Sequence, residues 1–267
     1  HKASRVLTEL LGDFSRWWLR RSRERFQNPK NKNELSIALI SFENFFYQFL
    51  KMLAPLAPFT SEYLYQEIKD ELRDRILIKE SIHLENLGKP LKLSLKEKIL
   101  LEEMKKIRDL ASEIHRLRKE KGIKVRQPLK YVSLKTKLSP EVLEVLKDEI
   151  NVLEIRINPK QREEIILDWE ITPELKELGI LNDFVRFVQD LRQEAGLVPK
   201  EFVGLKISGG KMLMDILRKR MKDLERRTKT NIFISQKFAP GSKKLVLIAE
   251  KEFNYENFGK VKIELFK

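Results

Sequence analysis

Arginine and tryptophan side chains are concentrated in residues 14–26, which read FSRWWLRRSRERF. Guanidinium groups bind phosphates through paired hydrogen bonds, and aromatic rings can stack on unpaired nucleobases. This mixture therefore fits a surface that binds an anionic polymer. It equally fits an ordinary amphipathic helix, with a buried aromatic side and a solvated basic side.

Helical spacing sorts the same residues onto two sides. At about 100° per residue, Phe14 and Trp18 fall on the apolar side of a predicted helix, and Trp17 lies next to them. We therefore expect both tryptophans in the core or at its edge. On the opposite side lies a row of arginines whose spacing suits phosphates along a nucleic-acid strand. This row, the arginine ridge, consists of Arg16, Arg20 and Arg23.

Basic residues are clustered along the chain. The 267 residues carry a net charge of +14, and three islands account for this excess: residues 15–30, 116–130 and 216–229. The remainder is close to neutral, which indicates a binding surface for an anionic partner, most often nucleic acid, rather than general solubility. For each island the alternative is the solvated polar face of a helix.

Residues suited to catalysis are scarce. The three histidines, His1, His83 and His115, are too few and too scattered for a metal cluster, and the absence of cysteine excludes disulfides and thiolate metal sites. The segment GLKISGGKM only approximates a phosphate-binding loop, since it has one glycine too many before Lys211 and no Ser or Thr after it. We predict no catalytic, metal or cofactor residue, and the residues themselves indicate a binding module.

The elements that position these groups are helical in the first half. Apolar steps of three and four residues predict a helix over residues 35–53. Ser94 and Glu97 form a capping-box pattern that opens a long helix running toward Gly122. We therefore expect residues 1–122 to form an antiparallel helical bundle.

The second half alternates strands with helices. Strands are predicted at KYVSLKT, VLEIRI, FVGLKIS, NIFIS, KKLVLIAEKEF and KVKIELF, and one helix at MLMDILRKRMKDLERR. Gly179 is expected to end a short helix, with another helix over residues 182–196. The predicted fold class is mainly α, then α+β. A helical bundle over residues 1–128 precedes a smaller α+β region over residues 129–267, and a further split near residue 170 is an alternative.

Motifs in the same order as in a known family extend from Asp13 to Leu197. They are DFSRWWLRRSRERF, FLKMLAPLAPFTSEYLYQ, SIHLENL, IRDLASEIHRLRKEKGIKVRQPLKYV, KDEINVLEI, ITPEL and DFVRFVQDLRQEAGL. They resemble the anticodon-binding region of class I aminoacyl-tRNA synthetases, the isoleucyl branch in particular. The sequence departs from the family pattern at Trp18, where Tyr is usual, at Ile150, where Leu is usual, and at Gln193, where Lys is usual.

The resemblance implies the C-terminal part of a larger ligase. The catalytic signatures His-Ile-Gly-His and Lys-Met-Ser-Lys-Ser are absent, and the tail resembles the archaeal and eukaryotic type without a zinc module. The parent enzyme would join isoleucine to its tRNA using ATP and Mg in a catalytic domain outside this chain, so we expect this part alone to be inactive. The chain begins without Met and no apolar run nears 18 residues, so we expect a segment of a cytoplasmic protein.

If the chain binds tRNA, charge and side-chain chemistry indicate which residues contact it. We expect Lys124 and Arg126 to bind phosphate and Gln127 to read a base edge. The alternative for Arg126 and Gln127 is a structural tie between the bundle and the α+β region, and the same applies to Arg186, Gln189 and Arg192. The predicted tRNA-binding residues are Arg16, Arg20, Arg23, Arg118, Lys124, Arg126 and Gln127.

Other functions remain open on the sequence. The same region occurs in valyl and leucyl synthetases, which the isoleucyl-like motifs make less favoured. A protein of a different class, a non-catalytic appendage that binds RNA without specificity or mediates interactions, would also carry basic islands. An independent enzyme is disfavoured by the missing catalytic motifs.

Overall fold

The computed structural model divides the chain into two compact units, residues 1–92 and 93–267. The first unit is helical and the second mixes helices with two sheets, which confirms the predicted fold class. The predicted boundary near residue 128 stays a prediction, as does a split near residue 170. The residues that the structure describes are 1–27, 29–73, 78–198, 201–233 and 246–267.

Within its described residues, the first unit contains four α-helices. A π-helical segment, Phe14–Leu19, follows the first helix, and a short 3₁₀ turn, Ile82–Leu84, follows the fourth. The helical spacing predicts one uninterrupted helix over this first stretch, so the π-helical widening is a correction. Asn31 caps the third helix by accepting from the Glu34 N–H at 2.8 Å. The helices are α1 (Lys2–Asp13), α2 (Arg23–Gln27), α3 (Lys32–Leu53) and α4 (Pro58–Arg73).

Aromatic side chains join the π-helical segment to α3. The Phe14 ring stacks on Trp18 with centroids 4.9 Å apart and on Phe45 at 3.6 Å. Trp18 also meets Phe26 edge-on at 6.1 Å. Because such pairs add packing energy to the burial of their large apolar faces, this cluster fixes residues 14–26, which carry the arginine ridge.

Glu62 on α4 connects two of the sequence motifs. Its carboxylate accepts from the Ser81 hydroxyl at 2.7 Å and from the Ile82 N–H at 3.1 Å. Ser81 in turn accepts from the His83 N–H at 3.2 Å, which caps the 3₁₀ turn. The segments APFTSE and SIHL are therefore held together by hydrogen bonds within the first unit.

The second unit begins with a long helix and a small sheet. The capping box of Ser94 and Glu97 opens the helix as predicted. The sheet order is β2-β1-β3, with β1 parallel to β2 and antiparallel to β3. A helix crosses between the two parallel strands and packs against the long helix. These elements are α5 (Leu95–Glu120), β1 (Leu129–Leu134), α6 (Pro140–Ile150), β2 (Val152–Ile157) and β3 (Ile165–Leu167).

A second sheet completes this unit. Its strand order is β5-β4-β7-β6, and α7 packs on it to enclose an apolar core that includes Phe184, Leu205 and Ile263. None of the described helices is both long and apolar enough to cross a membrane. The elements are α7 (Pro173–Glu194), β4 (Val203–Ser208), α8 (Lys211–Lys219), α9 (Met221–Thr228), β5 (Thr230–Phe233), β6 (Leu247–Asn254) and β7 (Lys260–Phe266).

Gly179 lies inside a helix and does not end one. The two helices predicted around it are a single helix, α7, and Thr172 caps its start through the Leu175 N–H at 3.4 Å. A Cβ atom at Gly179 would lie 2.3 Å from the Gln127 Oε1 atom. Glycine is therefore needed at this position because Gln127 approaches α7 closely, and not because the chain turns there. The helix predicted over residues 212–227 also differs, since it divides at Arg220 into α8 and α9.

Candidate nucleic-acid interface

The arginine ridge lies on the surface of the first unit, as predicted. All three side chains are exposed, whereas Trp17 and Trp18 are half-buried. The Nε atom of Arg16 donates to the Gly12 carbonyl at 3.3 Å, and that of Arg20 donates to the Arg16 carbonyl at 2.9 Å. These bonds lay the guanidinium groups along the helix. Their binding of phosphate stays a prediction.

Arg118 is the predicted site residue whose position corrects its assignment. Its side chain is fully buried, although it belongs to the basic island of residues 116–130. Nη1 donates to the Gln127 carbonyl at 2.8 Å, and Nη2 donates to those of Ile150 at 2.7 Å and Asn151 at 3.0 Å. A guanidinium engaged in this way is not presented to a ligand. Arg118 ties α5 to the turn before β1 and to the end of α6.

The surroundings of Arg118 explain how a buried cation is tolerated. The carbonyl groups of Ile150 and Asn151 lie at the C-terminal end of α6, where the helix dipole is negative. Burial lowers the pKa of the Arg118 guanidinium to about 10, which still leaves it charged at neutral pH. Carbonyl oxygens thus compensate the charge in place of a carboxylate.

The turn before β1 brings Lys124 and Arg126 to acidic partners. The Arg126 Nε atom donates to Asp183 Oδ1 at 2.5 Å, and the Lys124 Nζ atom lies 2.7 Å from Glu256 Oε1. Asp183 is buried and also accepts from the Tyr255 hydroxyl at 3.0 Å. Burial and the nearby Asp183 carboxylate raise the pKa of Tyr255, so it remains a donor. Both cations are therefore already paired, and their predicted phosphate contacts stay predictions.

Gln127 reaches from the same turn to α7. Its Nε2 atom donates to the Leu175 carbonyl at 2.7 Å and to the Pro128 carbonyl at 3.1 Å. These contacts favour a structural tie for Gln127, here between two segments of the second unit. Its reading of a base edge stays a prediction.

The polar residues farther along α7 also hold this unit together. Arg192 is buried and donates to the Val198 carbonyl at 3.2 Å and to the Glu201 carbonyl at 2.8 Å. Gln189 donates to the Arg227 carbonyl at 3.0 Å. Arg186 pairs with Asp190 at 3.3 Å along the same helix. These contacts support the alternative that the three residues are structural. All of the contacts lie within the second unit.

The third basic island lies on α8 and α9 and is partly neutralised by local acids. Arg218 pairs with Asp215 at 3.3 Å, and Arg226 pairs with Asp223 at 2.6 Å. Both are exposed pairs within one helical turn, which contribute little to stability and are typical of a solvated helix face. Binding of an anion by this island stays a prediction.

A pocket of about 380 Å³ opens beside the turn that carries Lys124 and Gln127. Sequence reasoning missed it, because its walls come from α5's end, the start of α7 and the 3₁₀ turn Glu256–Phe258, which are far apart along the chain. No sequence signal could have joined these three segments. The lining residues are Gly122, Ile123, Lys124, Gln127, Ile171, Lys176, Gly179, Ile180, Asp183, Tyr255 and Glu256.

Part of the sequence matches a known protein family. The sequence family described as "Anticodon-binding domain of tRNA ligase" matches residues 1–133. That range includes both the arginine ridge and the turn that carries Lys124, Arg126 and Gln127.

Three of the curated relatives share one name. Isoleucine–tRNA ligase of Thermoplasma volcanium is 31% identical over 157 residues, which are 59% of this chain and 14% of that protein. The protein of the same name from Chlamydia muridarum is 29% identical over 184 residues, which are 67% of this chain and 17% of that protein. That of Thermoplasma acidophilum is 28% identical over 171 residues, 64% of this chain and 16% of that protein. The chain thus spans less than a fifth of the length of these relatives.

Proposed function

Because residues 1–133 match the family of anticodon-binding domains of tRNA ligases, we propose that this chain is the tRNA-binding part of an isoleucine–tRNA ligase. The family match is the observation that carries the proposal. The names of the relatives support isoleucine as the amino acid. In this proposal the chain holds the anticodon stem-loop while the rest of the parent enzyme performs the chemistry.

The arginine ridge supplies the contacts to the tRNA backbone. Its side chains are exposed on a segment fixed by aromatic packing, and guanidinium groups bind phosphate oxygens without regard to base sequence. Bases of the anticodon loop are unpaired, so they can be read by side-chain amides and rings. Specificity therefore has to come from residues other than the ridge.

The chemistry of the parent enzyme lies outside this chain. Attachment of isoleucine to tRNA consumes ATP and uses Mg, and we propose that both bind in a catalytic domain that this sequence does not contain. We expect the chain alone to give no ATP–pyrophosphate exchange with isoleucine. We also propose that the parent works in the cytoplasm.

The test is the affinity of the chain for isoleucine tRNA and for unrelated tRNAs across a salt series. It uses the wild type and a triple variant of the ridge, Arg16→Gln, Arg20→Gln and Arg23→Gln. The matched control removes three exposed charges elsewhere through Lys96→Gln, Lys98→Gln and Lys105→Gln.

We expect the wild type to prefer isoleucine tRNA over valine, leucine and unrelated tRNAs. The ridge variant should weaken binding to all of them alike, and the slope of log affinity against log salt should fall by about 0.7–0.9 for each phosphate that the variant no longer binds. Equal affinity for every tRNA would instead indicate a non-specific appendage. A ridge variant indistinguishable from the lysine control would make the ridge a solvated helix face.

A further inference from the structure

The orientation of the Gln127 amide is fixed by its two donor bonds. Both N–H groups of Nε2 have carbonyl acceptors, on Leu175 and Pro128, so the amide cannot be turned over without placing oxygen against oxygen. No N–H or O–H group of the described residues donates to Oε1. This acceptor lies beside Gly179, and both residues line the pocket of about 380 Å³. Gln127, which lines this pocket, therefore has a side-chain acceptor left over and no side-chain donor.

Two of the three cations beside the pocket already have carboxylate partners, whereas Lys176 has none among the described residues. Arg126 pairs with Asp183, and Lys124 pairs with Glu256. An anion in the pocket would have to compete with the two carboxylates for these cations, whereas a neutral polar group would disturb neither pair. The pocket volume falls within the range of about 300–1,000 Å³ that is usual for small-ligand sites.

The walls of the pocket combine apolar surface with polar groups. Ile123, Ile171 and Ile180 supply apolar surface, while Gln127 and the paired charges supply the polar groups. Glu256 holds a backbone conformation in the left-handed region, with a φ of 41°, and its carboxylate is tied to Lys124. Such strained positions persist where the surrounding structure fixes them, so this wall is preorganised.

A path for a sugar-phosphate backbone leads out of the pocket. A neighbouring pocket of about 520 Å³ shares Lys176 and Ile180 with it and carries Lys211 on its lining. Both lysines are exposed, and neither forms an ion pair within the described part of the chain. They are therefore available to the phosphates of a bound nucleic acid.

We propose that the pocket between the turn before β1, the start of α7 and the 3₁₀ turn Glu256–Phe258 receives one unstacked nucleobase of the bound tRNA. The base presents an N–H group to Gln127 Oε1, and the adjoining phosphate lies near Lys176. This proposal rests on the proposed function, since it assigns part of its base recognition to the second unit. Gln127 then acts both as a tie to α7 and as the reader.

The test combines protein variants with tRNAs that lack single bases. Isoleucine tRNAs are assembled by ligation, each with one abasic position in the anticodon loop, and their affinities for the chain are measured. Gln127→Met removes the acceptor at similar length, and Ile171→Trp fills the pocket while keeping Gln127. Ile166→Trp is the matched control, because Ile166 and Ile171 are both 40% exposed and only Ile171 lines the pocket.

We expect one abasic position to weaken binding to the wild type by about tenfold, as a base-edge contact would. In Gln127→Met and Ile171→Trp, the loss at that same position should shrink to about twofold or less, because base and pocket act as one unit. The Ile166→Trp control should keep the full loss. A merely structural role would weaken binding to every tRNA alike and leave each abasic loss unchanged.

Unchanged abasic losses in both pocket variants would overturn the base pocket, and so would a wild type insensitive to every abasic position. Failure of the proposed function has a different signature. In that case the wild type binds intact isoleucine tRNA no more tightly than unrelated tRNA, before any variant is compared.

Discussion

At the scale of single residues, Arg118 and Gln127 use their side-chain donors on main-chain carbonyl groups. Arg118 donates hydrogen bonds to carbonyl groups in the turn before β1 and at the end of α6. Gln127 donates a hydrogen bond to a carbonyl group in the first turn of α7. Both belong to a stretch whose composition indicates RNA binding, and composition cannot tell a guanidinium that faces solvent from one that fills a core. The charge pattern therefore could not show that Arg118 fills a core, and binding of RNA by this region stays a prediction.

Replacing Arg118 should damage the fold. Arg118→Met leaves several carbonyl groups without their donor, and each buried acceptor left unsatisfied costs about 1–3 kcal/mol. The free energy of unfolding, measured by denaturant titration, checks this. Lys119→Met is the control, because Lys119 is exposed beside it and should change stability by less than about 0.5 kcal/mol. Equal stability of the two variants would refute the structural role of Arg118.

At the scale of elements, the caps and strands follow from local chemistry. The capping box of Ser94 and Glu97 is present because its two partners are close in sequence. Helix interruptions were harder to predict. The sequence pattern predicts a helix end at Gly179. Glycine is required there because the Gln127 amide approaches it closely, and Gln127 lies about fifty residues earlier in the chain. The pocket could not be predicted for the same reason, since its three walls meet only in the folded unit.

Glu62 makes the joint between α4 and the Ile82–Leu84 turn dependent on pH. Although burial opposes it, hydrogen bonds from Ser81, Gln66 and Ile82 hold the pKa of this carboxyl below its ordinary value of 4.5. A carboxyl group of this kind stabilises the fold above its ordinary pKa, and the contribution is lost as the pH falls through the lower, folded-state pKa.

We therefore expect Glu62→Gln to lower the melting temperature at neutral pH, with a difference from wild type that shrinks as the pH falls below about 4.5. Glu67→Gln, at an exposed position on the same helix, should show little change at either pH. The measurement is a series of thermal melts between neutral and acidic pH. A difference that stays constant over this range would contradict the role of the ionised carboxylate.

At the scale of the whole molecule, the proposed contacts to tRNA divide between the two units. The arginine ridge belongs to the unit of residues 1–92, and the base pocket belongs to the unit of residues 93–267. In this proposal, the ridge supplies affinity that depends on salt, and the pocket supplies discrimination between bases. A net charge of +14 supports fast association with any tRNA, so specificity has to be measured as a difference between tRNAs.

The central claim is that this chain reads the anticodon loop of isoleucine tRNA, and a loop transplant tests it most directly. An unrelated tRNA receives the anticodon loop of isoleucine tRNA, and its affinity for the chain is compared with that of both parent tRNAs. We expect the chimera to gain most of the cognate preference, about tenfold or more, on the scale of about 1–3 kcal/mol for each base contact. A chimera that binds no better than the unrelated tRNA, while isoleucine tRNA itself binds tightly, would contradict the claim.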